Sequence, residues 1–148
     1  MAKRKSWAQD HCPVARSVEA IGDRWCLLIV REAFDGVRRF SVFQKNLGVA
    51  RNILSDRLNT LVTLGILALL PAADGSAYQE YALTEKGMAL FPILVSLRQW
   101  GEQHLFAAEE AHSLLVDKRS QQRLAYMQPL SLDGDVVRLS DTEVMDKA

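Results

Sequence analysis

Between residues 40 and 83 the spacing of apolar positions changes from helical to alternating, and the changes outline a reading unit. Leu54, Leu58 and Leu61 recur at i, i+4, i+7, with Ile53 and Val62 broadening the stripe, so one side of a helix over Ala50 to Leu64 faces a core. On another side Asn52, Ser55, Asp56 and Asn59 keep helical spacing, flanked by Arg51. Short hydrogen-bonding groups with one early arginine suit a helix in a DNA major groove. An ordinary solvated face would more often carry Glu and Lys pairs.

The flanking segments fit that reading. Ser41 and Gln44 have capping-box spacing, Phe43 and Leu47 share a face, and Gly48 stands where a left-handed residue ends a helix. A short helix over Val42 to Leu47 is predicted, and two or three residues then lead to the next, as in a helix-turn-helix. Ala50 is a poor N-cap, which leaves the start of the second helix open by a residue or two. Gly65 closes that helix, Ile66 to Leu70 is an apolar run, Pro71 to Ser76 carries turn residues, and Tyr78 to Leu83 alternates, predicting a hairpin or wing. No Lys or Arg lies between Gly65 and Glu85, which argues against phosphate binding by the wing's own residues.

Two more helices precede this unit. Pro13 suits the first position of a helix to Ile21, with Cys12 at its N-cap, and Gly22-Asp23 breaks and restarts the chain. Trp25 to Phe34 is almost wholly apolar, so Trp25, Leu28, Ile29 and Phe34 are expected at the centre of the core. After the wing, Thr84 can cap a helix with Glu85 in its first turn, and Leu90, Ile93, Leu94, Leu97, Gly101 and Leu105 continue an apolar stripe, with Phe91, Val95 and Trp100 off it. Pro92 kinks this helix or starts a second one. So much apolar surface predicts a twofold interface through Ile93, Leu94, Leu97, Trp100, Gly101 and Leu105 together with the first helix. Such symmetry would set two reading helices roughly 34 Å apart.

Farther on, Ala107 to Leu115 is predicted helical, Lys118 to Arg123 is polar, Leu130 to Leu139 around Asp133-Gly134 reads as a second hairpin, and Ser140 to Ala148 is a polar, frayed end. This tail could extend the interface, cover a ligand pocket or pack on the surface. The expected fold is mainly α with a small β-hairpin: a winged helix-turn-helix with a C-terminal dimerisation helix and a short tail hairpin. One domain over 1–148 is expected, with the DNA-binding core at 12–86, dimerisation helices at 87–115 and the tail at 116–148.

Charge sharpens the picture. The 148 residues carry no net charge, yet residues 1–64 hold eleven Lys or Arg against six Asp or Glu, and residues 65–148 hold seven against twelve. The positive half contains the reading helix. Arg38, Arg39, Lys45, Arg51 and Arg57 are the candidate phosphate contacts of the reading unit, beside Asn52, Ser55, Asp56 and Asn59; Lys3, Arg4 and Lys5 could add to them. His11, His104 and His112 are scattered, and no metal-ligand spacing, phosphate loop or nucleophile elbow is present, so neither an enzyme nor a cofactor is expected. The basic start is not followed by an apolar stretch and no run is long enough to span a bilayer, which points to a cytoplasmic protein. Two widely separated cysteines fit a reducing compartment. Cys26 reads as a small buried hydrophobe. Cys12, at a helix start beside His11, has the helix dipole and positive neighbours favouring the thiolate that oxidants and electrophiles attack; a structural cap is the alternative.

Cys12-Pro13-Val14, Ile21-Gly22-Asp23-Arg24-Trp25, Arg39-Phe40, Leu54-Ser55-Asp56-Arg57-Leu58, Leu61, Gly65-Ile66-Leu67, Tyr81-Ala82-Leu83-Thr84-Glu85-Lys86-Gly87 and Trp100 together resemble the HxlR-type winged helix-turn-helix transcriptional regulators. The likeness runs from about Cys12 to Leu105. It implies a bacterial homodimer on a palindromic operator in double-stranded DNA, more often repressing than activating, and, in some relatives, an oxidant or small electrophile as effector at the cysteine matching Cys12. The uncharged wing and Cys26, where Thr or Ser is frequent, depart from common members. A winged helix that contacts protein instead of DNA is the alternative, which the neutral wing favours.

Overall fold

The computed structural model describes residues 2–145, so the end expected over Ser140 to Ala148 is seen only as far as Met145. The chain divides into two units, one ending at Phe91 and the other beginning at Pro92. The first unit runs α1 (Pro13–Ile21), α2 (Arg24–Phe34), α3 (Phe40–Leu47), α4 (Arg51–Thr63), β1 (Leu67–Pro71), β2 (Gln79–Leu83) and α5 (Glu85–Met88). This is a winged helix-turn-helix.

Alternating burial makes the core. Leu54, Leu58 and Leu61 of α4 are fully buried, as their spacing requires, together with Phe43 of α3, Ile29 and Val30 of α2, and Ile66 and Leu67 at the start of the wing. Gly48 takes the left-handed conformation at φ 61° that ends α3, and Gly65, at φ 74°, turns the chain out of α4 into β1. The strands pair antiparallel from Leu67 opposite Leu83 to Pro71 opposite Gln79. Pro71 thus closes the ladder at its turn end, so β1 runs one residue into the segment expected to be turn.

Two local expectations in this unit are corrected. The capping box of Ser41 and Gln44 does not form: α3 begins at Phe40 with Arg39 as N-cap, and the Gln44 amide instead donates to the Val49 carbonyl oxygen at 3.5 Å. Trp25, Leu28 and Phe34 are only half buried; the faces of α2 rotate so that Cys26, Ile29 and Val30 fill the centre, while Trp25 lies under the Arg24 guanidinium at 4.6 Å. Asp23 sets that rotation by fixing the first turn. Its carboxylate accepts from the backbone N–H of Trp25 at 2.9 Å and of Cys26 at 3.1 Å.

In the second unit, α6 (Phe91–His104) starts at the Pro92 break, after the separate turn of α5. Thr84 caps α5, accepting from Gly87 N–H at 3.1 Å. The helix expected over Ala107 to Leu115 is absent; this stretch is irregular, because its apolar side chains follow no helical face. The second hairpin shrinks to one bridge, Leu130 with Val136, around Gly134 at φ 89°. A second bridge joins Val116 to Arg123, and a single 3-10 turn covers Leu139–Asp141. No helix among the described residues is long and apolar enough to cross a membrane.

Candidate nucleic-acid interface

The reading helix is held from behind by α2. At one end Asp23, already capping α2, accepts from Arg57 Nε of α4 at 3.0 Å, and Arg57 Nη1 also pairs with Asp56 at 2.5 Å. Burial works against the Asp23 charge, but the Arg57 guanidinium and the two capping N–H groups outweigh it and hold this carboxyl below the usual carboxylate range. At the other end the buried Glu32 accepts from Asn46 of α3 at 2.7 Å and from Arg31 at 2.9 Å. Two carboxylates on one helix therefore fix both arms of the helix-turn-helix. Sequence reading missed Glu32, since a lone acid in an apolar run reads as a surface break; Asp23 was seen only as a breaker, although Asp before an apolar helix is itself a cap signal.

With its apolar edge seated, α4 exposes Arg51, Asn52, Ser55, Asp56 and Asn59. The side-chain hydrogen bonds on this helix belong to Asp56, Arg57 and Thr60; Asn52, Ser55 and Asn59 make none among the described residues and are free to bind an outside partner. Arg51 lies over the Phe40 ring at 5.2 Å, which holds the guanidinium at the helix start without neutralising it. Lys45, at the end of α3, is exposed and makes no ion pair among the described residues.

The arginines before α3 are placed differently. Arg38 Nε pairs with the buried Glu80 of β2 at 2.8 Å, and Arg39 pairs with Asp74 at 2.5 Å, approaches Glu80 at 3.8 Å and lies over the Tyr78 ring at 5.3 Å. Asp74 is held at about 2, first by the Ser76 backbone N–H, then by the Ser76 hydroxyl and Arg39. The wing, lacking a base of its own, borrows two and spends them on its own acids. Backbone joins the same pieces: Tyr81 N–H donates to the Arg38 carbonyl at 2.8 Å, and Tyr81 meets Phe43 edge-on at 6.3 Å. Arg38, Arg39 and Arg57 are thus engaged within the fold, whereas Lys45 and Arg51 make no ion pair among the described residues.

The two thiols differ in access. Cys12 is exposed at the N-cap of α1, its side chain making no capping bond, and its backbone N–H donates to Asp10 at 2.9 Å. Cys26 is buried, and desolvation first, then the nearby Asp23 charge, pushes its thiol up to about 11.

Comparison with known proteins gives these features a family. The HxlR-like helix-turn-helix family matches residues 20–109, a span that begins after Cys12. The uncharacterised HTH-type transcriptional regulator MT3179 of Mycobacterium tuberculosis (strain CDC 1551 / Oshkosh) is 49% identical over 62% of this chain, and the match covers only 58% of that relative's length. The crystal structure of PA1607, a candidate transcription factor, superposes with a TM-score of 0.91 at 49% identity, covering 97% of this chain and 100% of that one. The redox regulator HypR in its reduced form gives a TM-score of 0.58 at 28% identity over 64% of this chain and 94% of its own.

Proposed function

Because the chain belongs to the HxlR-like helix-turn-helix family, we propose that it is a sequence-specific transcriptional regulator that reads double-stranded DNA with α4. The observation that carries this reading is the unpaired row of Asn52, Ser55 and Asn59 on a helix anchored by three fully buried leucines. Asn amides and Ser hydroxyls can meet base edges in a major groove, and Lys45 and Arg51 supply phosphate contacts. Arg38, Arg39, Asp56 and Arg57 shape and orient the interface around them.

The protein acts as a homodimer, most simply a repressor on a palindromic operator. In support, α1 leaves Val14 and Val18 exposed, and α6 leaves Ile93, Leu97 and Trp100 about half exposed at 46, 48 and 54%, with Leu105 open at 66%. Leu94 and Gly101 border that stripe half-buried. Apolar rows of this length on two helices call for a partner surface.

Cys12 is the candidate sensor. A hydroperoxide would transfer one oxygen to the Cys12 thiolate, giving a sulfenic acid and releasing the alcohol, and a quinone would add at sulfur to give a hydroquinone thioether. The exposure of Cys12 and the likeness to HypR support this reading, while burial protects Cys26.

The test is duplex binding to DNA flanking the protein's own gene, titrated with salt and repeated after mild oxidant. A log-log salt slope of several units, with release on oxidation of the wild type but not of Cys12→Ser, is the expected result. A flat salt response would favour a protein-contacting winged helix; oxidant release unchanged in Cys12→Ser would remove Cys12 as sensor.

A further inference from the structure

The second unit holds an open cavity of about 260 Å³ between α6 and the irregular segment 112–126. All of that segment lies beyond residue 109, where the family match ends. Two staples hold it to the helix. Arg98 Nη1 donates to Ser113 Oγ at 2.9 Å and to the Ser113 carbonyl at 3.3 Å; the next residue of the same helix, Gln99, donates from Nε2 to the Ala125 carbonyl at 3.1 Å and accepts the Met127 N–H at Oε1 at 2.7 Å. Chain that served only to cover the helix would close down on it to the density of a protein interior. Here the staples hold it open.

The lining has a defined chemistry. Val95, only 3% exposed, with Leu115 and Leu124 forms an apolar wall, and Arg98, Arg123 and Glu102 face the same space. No ion pair among the described residues joins Glu102 to either arginine, so Arg123 keeps its whole guanidinium available and Arg98 the part not spent on Ser113. Two guanidinium forks against one carboxylate select an anion, and the fork geometry matches a carboxylate. The volume lies at the small end of ligand pockets, room for one ring or a short chain. Glu102 suits a hydroxyl or amino donor on the same molecule.

We propose that this cavity binds a small carboxylic acid with an apolar body, and that the acid is an effector of DNA binding; the second half rests on the regulator reading above. The coupling runs through α6. At about 100° per residue, Val95, Arg98 and Glu102 lie on the side of the helix roughly opposite Ile93, Leu97 and Trp100. A ligand drawing 112–126 onto the first side biases the helix whose other side is the proposed pairing surface.

The test titrates the full chain, free of DNA, with benzoate, phenylacetate and hexanoate, and with phenylacetamide as the uncharged control, by calorimetry and by amide chemical shifts. Saturable binding of at least one acid, shifts confined to α6 and 112–126, at least tenfold weaker binding of the amide, and a fivefold or greater loss in Arg123→Gln but not in the neighbouring Arg119→Gln are expected. Failure of all three acids, equal binding of the amide, or an unaffected Arg123→Gln would overturn the site. Duplex binding of the unliganded protein is measured alongside. Its absence would sink the regulator reading while leaving the acid titration to stand, whereas intact duplex binding that a saturating acid leaves unchanged would remove the effector half.

Discussion

The reading helix and the wing sit side by side in the first unit yet treat polar groups in opposite ways. On α4 the ionic contacts are moved to the rear edge, where Arg57 meets Asp23, and the outward row of Asn52, Ser55 and Asn59 is left without internal partners. On the wing, Glu80 and Asp74 draw in Arg38 and Arg39, so the hairpin becomes internally neutral. A surface that satisfies itself stabilises a fold, and one left unsatisfied is available for recognition. Base contacts are therefore expected from α4, with the wing acting mainly as a brace for α3.

The largest expected difference is in stability. Leu58→Ala empties a fully buried site under α4 and should cost about 2–5 kcal/mol, while Leu69→Ala, on a wing residue 41% exposed, should cost less than about 1 kcal/mol. Urea unfolding of the two variants measures both, and equal losses would break the distinction. Next comes specificity. Asn52→Ala and Ser55→Ala should each weaken operator binding by about 1–3 kcal/mol while sparing random duplex, whereas Lys45→Ala and Arg51→Ala should weaken both alike and lower the salt slope by about 1 each. Competition assays at several salt concentrations separate the two patterns.

Smaller effects should sharpen the wing side. Arg39→Ala removes a cation already held by Asp74 and should change the salt slope less than Arg51→Ala; Asp74→Asn frees Arg39 and should steepen it. An Arg39→Ala slope change as large as that of Arg51→Ala would show that the pair opens on DNA. The smallest signal is the acid limb of stability. Because the Asp23 carboxyl is held low in the folded state, its contribution is complete above the unfolded value of about 4 and is lost as pH falls through the lower folded value. Asp23→Asn keeps a capping side chain but not the charge, so melting curves from about pH 5 down to about pH 2 should show a shallower acid decline in the variant.

Periodicity carried much of the first unit. The seat of α4 follows from leucines at helical spacing, and the turns follow from Gly48 and Gly65, whose positive φ no β-carbon disturbs. These signals are local, set by which backbone conformations and which faces a short segment can afford to bury. The exposed row on α4 was legible for the same reason, as the complement of a buried stripe. Cys26 could likewise be placed inside because small apolar groups partition there regardless of partner.

What needed the folded chain was every pairing across sequence distance. That Arg38 and Arg39 would turn to acids about 40 residues away, that Glu32 would clamp Asn46, and that Trp25 would yield the core to Val30 depend on which side chains arrive at one point in space. The tail shows the limit most clearly, since its segments lack a dominant period and the backbone is held by particular bonds such as Gln99 to Met127. Local pattern decides which face of an element is greasy; only three-dimensional proximity decides which charge is cancelled and which remains free.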